Sequence, residues 1–320
     1  MIFEEKVLKL YRGMAYSRCD DMGVAYYFSA KDFEGLSDER YAFMSSLGHT
    51  LSGHLYSYPD PIPGRLVVFD HGFGSGHLSY MKEIELLCRH GYLVFAYDHT
   101  GCMESGGENT NGMAQSLRDL DDCISALRAD ARFAGFDISV MGHSWGGYST
   151  LNITALHPDI SHVIALSGFV SVEALVKSFF RCVLRPYRRL ILALERKTNP
   201  HYCVYSAEES LKSTATKALL IYSDNDGMCR PVHYNILKDT LSECENVKLL
   251  LVKGKNHNPN YTKDAVKYLA EYMKRMTKDM REGRLRTEEA KSRFVSSFDW
   301  NRMTAQDEEV WEEIFNCLNN

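Results

Sequence analysis

Between residues 65 and 252, short unbroken apolar runs take turns with stretches in which apolar positions recur every three to four residues. The two periods predict strands and helices in alternation. The runs cover 65–70, 92–97, 137–141, 162–168, 218–222 and 247–252. A run without polar alternation suits a strand covered on both faces, as in a parallel sheet. Between the runs the pattern predicts a helix over 79–90, a second carrying Met113, Leu117, Leu120, Ile124 and Leu127, and a third from Gly146 to about His157, closed by Pro158. Such alternation predicts an α/β fold: a mostly parallel central sheet flanked by helices, with right-handed crossovers and ligands at the carboxyl ends of the strands.

The pattern changes at both ends and once in the middle. Residues 1–48 are aromatic-rich and mixed; 37–44 reads as a helix, and the segment is expected to pack on the sheet edge. Residues 49–58 alternate at period two, one strand of a hairpin, ahead of a Pro- and Gly-rich turn at 59–64. From 172 to 205 the regular alternation breaks into two helical segments parted at Pro186. A short helix capped at Ser206 follows. After the last strand comes a helix over 263–278 with Val266, Leu269 and Met273 on one face. The tail reads as two further helices, one started by Thr287, the other by Thr304 with Asp307 three residues on, a capping-box spacing. Its apolar stripe of Trp300, Val310, Trp311, Ile314 and Phe315 needs cover, from the body of the protein or from a second copy in a homodimer.

Composition narrows the class. With 320 residues, 45% of them hydrophobic, the chain is long enough for one large α/β core or two smaller ones. A net charge of −5 speaks against nucleic acid as a partner. Nine cysteines without a C-x-x-C pair read as reduced thiols of a cytoplasmic protein. No apolar run approaches the ~20 residues of a membrane span, and the N-terminus has no signal core. No His, Cys, Asp or Glu set has metal-ligand spacing, and neither a metal nor a cofactor is expected.

The chemistry is expected at strand ends. The strand at 137–141 runs into Gly142-His143-Ser144-Trp145-Gly146, a G-x-S-x-G turn into a small-residue helix. That is the form of a nucleophile elbow, in which a serine on a strained turn leaves no room for side chains two residues either way. The strand at 65–70 ends in His71-Gly72-Phe73-Gly74-Ser75-Gly76, which lacks both the Lys-Ser/Thr of a phosphate loop and dinucleotide spacing. It suits an oxyanion loop. The N–H groups of Trp145 and Phe73 are the expected donors, with Gly74 in reserve for the second. A triad acid should follow the serine and precede the histidine, and at 223–231 two aspartates, Asp224 and Asp226, compete.

His71-Gly72-Phe73, the loop Asp98 to Ser105 and Gly142 to Gly147 together resemble the α/β-hydrolases, most of all their monoacylglycerol lipase and serine aminopeptidase branch. The resemblance covers about residues 49–275. It matches Asp98, Gly101 and Ser105 to a family loop D-x-x-G-x-G-x-S, with Met103 in place of the second glycine, and sets Trp145 where a smaller residue is common. It implies Asp226 as the acid, with Asp224 a turn residue, and His257, just after the final strand, as general base. His71 and His143 are read as packing or loop-stabilising residues. It also implies a cap at 172–205, dividing the chain into core residues 1–171 and 206–280, the cap, and a C-terminal helical extension at 281–320.

The expected function is that of a cofactor-independent serine hydrolase of small to medium carboxylic esters, acting through Ser144, His257, Asp226 and an acyl-enzyme. An amidase or aminopeptidase would use the same triad, and a non-catalytic binding protein could occupy the same scaffold. The partner is a small-molecule ester or amide. Residues 173–205 carry seven Lys or Arg against Glu173 and Glu195. Such a lid would favour esters with an acidic or polar end; the plainer reading is a solvated helix face.

Overall fold

The computed structural model describes residues 2–320; Met1, the first residue of the N-terminal segment, lies outside them. In chain order its regular elements are α1 (Ile2–Ala15), β1 (Ser37–Met44), β2 (Thr50–Ser57), β3 (Arg65–Asp70), α2 (Met81–Arg89), β4 (Leu93–Tyr97), α3 (Gln115–Ala129), β5 (Asp137–His143) and α4 (Trp145–Asn152). They continue with β6 (His162–Leu166), α5 (Val172–Phe179), α6 (Arg188–Thr198), α7 (Ala207–Lys212), β7 (Lys217–Ser223), α8 (Pro231–Leu241), β8 (Val247–Val252), α9 (Lys263–Arg281), α10 (Glu288–Val295), α11 (Trp300–Met303) and α12 (Glu308–Asn319). Eight strands form one sheet in the order β1-β2-β4-β3-β5-β6-β7-β8, parallel from β4 onward and antiparallel at β1 and β2. This is the expected α/β architecture.

The central strands are buried on both faces. Leu66, Val68, Ile138 and Val140 face one core, built with α3 and α4, while Val67, Phe69 and Met141 face the other, against α2 and α12. Parallel strands lie edge to edge only with helices on both sides, which is why their sequences read as unbroken apolar runs.

Five expectations need correction. Residues 37–44 form strand β1, not a helix: the whole stretch pairs with β2, from Ser37 opposite Ser57 to Met44 opposite Thr50, and only Phe43 is buried. The hairpin partner of β2 therefore precedes it. Within 1–48, α1 does not pack on the sheet edge but meets α6, where the buried Glu195 accepts hydrogen bonds from the hydroxyls of Tyr11 (2.7 Å) and Tyr16 (3.1 Å). Burial raises the Glu195 pKa. The final helix starts at Asp307, whose side chain caps the Val310 N–H, and not at Thr304, which closes α11. Asp307 N–H donates to the Asn260 carbonyl, which holds this stretch extended up to the cap. Met273 is 46% exposed, so the buried face of α9 is carried instead by Ala265, Val266 and Tyr272. Ser206 stands at the start of α7, but its side chain makes no capping hydrogen bond.

The apolar stripe of the tail docks on the body. Val310, Trp311, Ile314 and Leu318 of α12 are buried in the second core, and Trp300 joins an aromatic cluster with Tyr272, Phe294 and Phe298. Among the described residues no helix is long and apolar enough to cross a membrane.

Candidate active site

Strand β5 stops at His143, and at Ser144 the backbone adopts φ 57° and ψ −106° before α4 begins. A side-chain-bearing residue held there stores about 1–3 kcal/mol of strain. Close packing enforces the turn. A Cβ at Gly142 would lie 2.4 Å from the Gly146 carbonyl oxygen, one at Gly146 2.0 Å from the Asp70 oxygen, and one at Gly147 2.8 Å from the Gly168 Cα. Glycine is the residue these three contacts admit. The result places Ser144 Oγ, half-buried, at the carboxyl edge of the sheet.

The loops after β7 and β8 meet there. His257 Nε2 stands 2.8 Å from Ser144 Oγ, and its Nδ1 stands 2.8 Å from Asp226 Oδ2. The other oxygen of the buried Asp226 accepts the N–H groups of Met228 (2.7 Å) and Cys229 (3.0 Å), which fixes the carboxylate plane. Asp224 lies apart from the imidazole and accepts the Gly254 N–H at 2.8 Å, a bond that ties the two loops together. The structure thus brings Ser144, His257 and Asp226 into one relay and leaves Asp224 in a turn.

The expected oxyanion donors, Trp145 and Phe73, lie on the elbow and on the loop after β3, and their rings meet. Trp145 is the first residue of α4, so its N–H has no carbonyl one turn back to bond. The Phe73 ring meets the Trp145 ring edge-on at 5.1 Å, and Gly74 carries the loop through φ 79°. The Trp145 indole is buried and donates to the Met113 carbonyl at 2.7 Å, so this side chain is fixed in place.

Beneath the elbow lies a fully buried ionic cluster. The His99 imidazole is 2.7 Å from Asp70 and 3.3 Å from Asp119. Burial works against its charge, but the two carboxylates push its pKa up to about 10. Asp70 also receives the hydroxyls of Tyr97 (3.0 Å) and Ser149, the latter on the helix of the elbow. The His71 ring lies tilted against that of His99, 4.4 Å between centroids, and accepts the His99 backbone N–H at 2.9 Å; burial and the neighbouring cation lower its pKa to about 3, which keeps it neutral.

A second support runs through His143. Its Nε2 lies 2.7 Å from the His257 carbonyl, which can only accept, so Nδ1 must accept from the Tyr80 hydroxyl at 2.8 Å. The Tyr80 oxygen in turn accepts the Gly72 N–H at 3.0 Å. His143 is neutral, its pKa lowered to about 3 by burial first and by His257 next. His71 and His143 therefore stabilise loops, as their motif positions suggested.

The loop from Asp98 to Ser105 is held as tightly. Asp98 binds both the N–H and the Nδ1 of His77 at 2.8 Å, contacts that outweigh burial and hold its pKa down to about 2. Met103, in place of the resembling loop's second glycine, takes φ 41°. Arg18 keeps it there: its guanidinium donates to the carbonyls of Met103 (2.6 Å), Ser105 (3.1 Å) and Gly107 (2.8 Å). Nothing around Arg18 in the sequence signals this role, nor does any local pattern join Tyr80 to His143. The cationic residues of 173–205 do not gather at the triad. Arg188 donates to the Phe180 and Lys177 carbonyls, and Arg185 and Arg189 line a separate hollow with Cys182 and Pro186. Among the described residues no cluster of three or more His, Cys, Asp or Glu could hold a metal ion.

The family described as serine aminopeptidase, S33 matches residues 61–252. The chain is 24% identical over 178 residues to a human (Homo sapiens) protein named monoglyceride lipase, covering 55% of this chain and 56% of that one. It is 31% identical over 115 residues to the monoacylglycerol lipase of Mycolicibacterium smegmatis, covering 34% and 39%. The matches thus span about half or less of these relatives' length. Among solved structures, an esterase of Pyrococcus furiosus superposes with a TM-score of 0.59 at 18% identity, covering 81% of this chain and 97% of that one.

Proposed function

Since the chain belongs to the serine aminopeptidase S33 family of α/β-hydrolases, we propose that it hydrolyses carboxylic esters of small to medium acyl groups through Ser144, His257 and Asp226. The observation that carries this reading is the relay itself, with both contacts of His257 at 2.8 Å and the serine on a strained turn. Ser144 Oγ attacks the ester carbonyl as His257 Nε2 takes its proton, while Asp226 holds Nδ1–H and balances the imidazolium. The N–H groups of Trp145 and Phe73 receive the developing oxyanion, with Gly74 the reserve for the second. His257 then protonates the departing alcohol, and a water activated by the same imidazole releases the acid from the acyl-enzyme. Relatives named as monoglyceride and monoacylglycerol lipases support an ester as substrate.

The family's description favours a second reading, in which the same triad cleaves an amide at a peptide's amino end. Labelling by a fluorophosphonate probe, lost in Ser144→Ala, tests the nucleophile and excludes a mere binding protein. A panel of p-nitrophenyl esters and aminoacyl anilides then separates the two readings. Faster turnover of the anilides would reverse the assignment, and an unlabelled wild-type protein inert on both panels would end it.

A further inference from the structure

The insertion's cations surround a different cavity. Between α5, α6, residues 203–206 and the start of α8 lies a hollow of about 960 Å³ whose lining includes neither Ser144, Asp226 nor His257. Lys177, Arg181, Arg188, Arg196 and Arg230 line it against Glu173 and Glu208, which leaves it net positive. Glu173 is shared by Lys177 at 2.6 Å and Arg196 at 3.3 Å. Glu208 sits in the first turn of α7, where the helix N-terminus offsets its charge. The other three guanidiniums have no carboxylate partner among the described residues. Arg188 binds backbone carbonyls, Arg230 donates to the Ser178 carbonyl at 2.7 Å beneath the Phe179 ring, and the Arg181 side chain makes no hydrogen bond or ion pair among the described residues.

Apolar surface adjoins these charges. Val204 is 69% and Val232 45% exposed, and both line the cavity beside Ile236. Guanidiniums without counter-ions around a concavity raise the local positive potential, and their planar forks match carboxylate and phosphate oxygens. Exposed valines in the same hollow gain by covering an alkyl chain. We propose that this cavity is a second, non-catalytic binding site for an amphiphilic anion, with a carboxylate or phosphate head held by Arg181 and Arg230 and an alkyl tail on Val204, Val232 and Ile236. The site does not depend on the ester-hydrolase reading, since its ligand need not be a substrate.

Calorimetry with octanoate, octyl phosphate, octanol and inorganic phosphate tests it. Either amphiphilic anion should bind the wild-type protein with Kd below about 1 mM, and the tighter of the two identifies the head group. Octanol, which lacks the charge, and phosphate, which lacks the tail, should bind at least about tenfold more weakly. Arg181→Gln removes a side chain with no partner among the described residues, so folding and ester turnover should be unchanged while affinity for the anion falls about tenfold. Val232→Glu, which sets a carboxylate into the hollow, should weaken binding in the same direction. Octanol binding as well as octanoate, or anion binding unchanged in both variants, would overturn the proposal.

Discussion

Two histidines of this protein each face aspartate, and their surroundings give them opposite work. His257 is half-buried, touches one carboxylate at 2.8 Å through Nδ1, and turns its Nε2 to a serine hydroxyl. His99 is wholly buried between Asp70 and Asp119, which hold it as a cation to about pH 10. In the proposed reaction a proton carrier must release what it takes up, and His257 sits between a carboxylate and a serine hydroxyl with which to do so. His99 has neither. The same residue types therefore make a relay at the sheet's edge and a fixed ionic strut a layer below. The difference lies in access and in the number of carboxylates, not in the pairing itself.

The largest effect should come from the relay. Ser144→Ala should lower kcat by on the order of 10⁴- to 10⁶-fold and abolish probe labelling, with the unfolding midpoint in denaturant close to wild type. Next in size, Asp226→Asn should lower kcat by roughly 10²- to 10⁴-fold, because an amide can neither hold the Nδ1–H tautomer nor balance the imidazolium. Asp224→Asn keeps an oxygen for the Gly254 N–H and should change kcat by less than about tenfold. Measured side by side, a larger loss in Asp224→Asn would show that the carboxylate facing His257 is not the one that matters.

What could be read in advance follows the range of the forces involved. The elbow is a local steric device, so Gly142 and Gly146 announce it, and the buried strands announce themselves by unbroken apolar runs. Strand β1 was hidden because its state depends on a partner across the sheet: most of its side chains are exposed, and the charged start Ser37-Asp38-Glu39-Arg40 carries no period-two signal. Residues 304–307 misled for a similar reason. Thr304 has the right spacing for a cap, yet the backbone bond from Asp307 to Asn260 delays the helix by three residues. Arg18, Tyr80 and Glu195 act across gaps in the chain that no local pattern spans. In the candidate site the motif positions of Ser144, Asp226 and His257 were legible, the last two through a family resemblance. The struts beneath them were not.

The strut should act on stability. His99→Gln leaves Asp70 and Asp119 facing each other in the core without their cation, a loss of about 3–5 kcal/mol by analogy with other broken buried pairs. Its sign with pH follows from the raised pKa. The folded value of about 10 lies above the ~6.5 of an unfolded histidine, so the contribution is complete below about pH 6.5 and is lost as pH rises towards 10. Urea melts between pH 6 and pH 10 should show the wild type losing stability across that window and His99→Gln following a flatter curve. A variant as stable as wild type but as inactive as Asp226→Asn would erase the contrast between the two histidines.

The smallest effect tests a third histidine, whose hydrogen bonds go to a hydroxyl and a carbonyl and not to a carboxylate. His143 is buried and neutral, its ring lies 4.7 Å from that of His257, and it joins the Tyr80 hydroxyl to the His257 carbonyl, so it holds the backbone that bears the imidazole. Tyr80→Phe removes the donor to His143 Nδ1 and the acceptor of the Gly72 N–H together. Two buried polar groups are left unpaired, which should lower stability by about 1–3 kcal/mol. Since the triad contacts themselves are untouched, kcat should fall by less than about tenfold, and the pH dependence of kcat/KM should keep its wild-type midpoint. A shifted midpoint would mean that Tyr80 tunes the base electrostatically, and His143 would then belong with His257 as part of the relay. An unshifted midpoint with reduced stability places it with His99, among the residues that hold the site in shape.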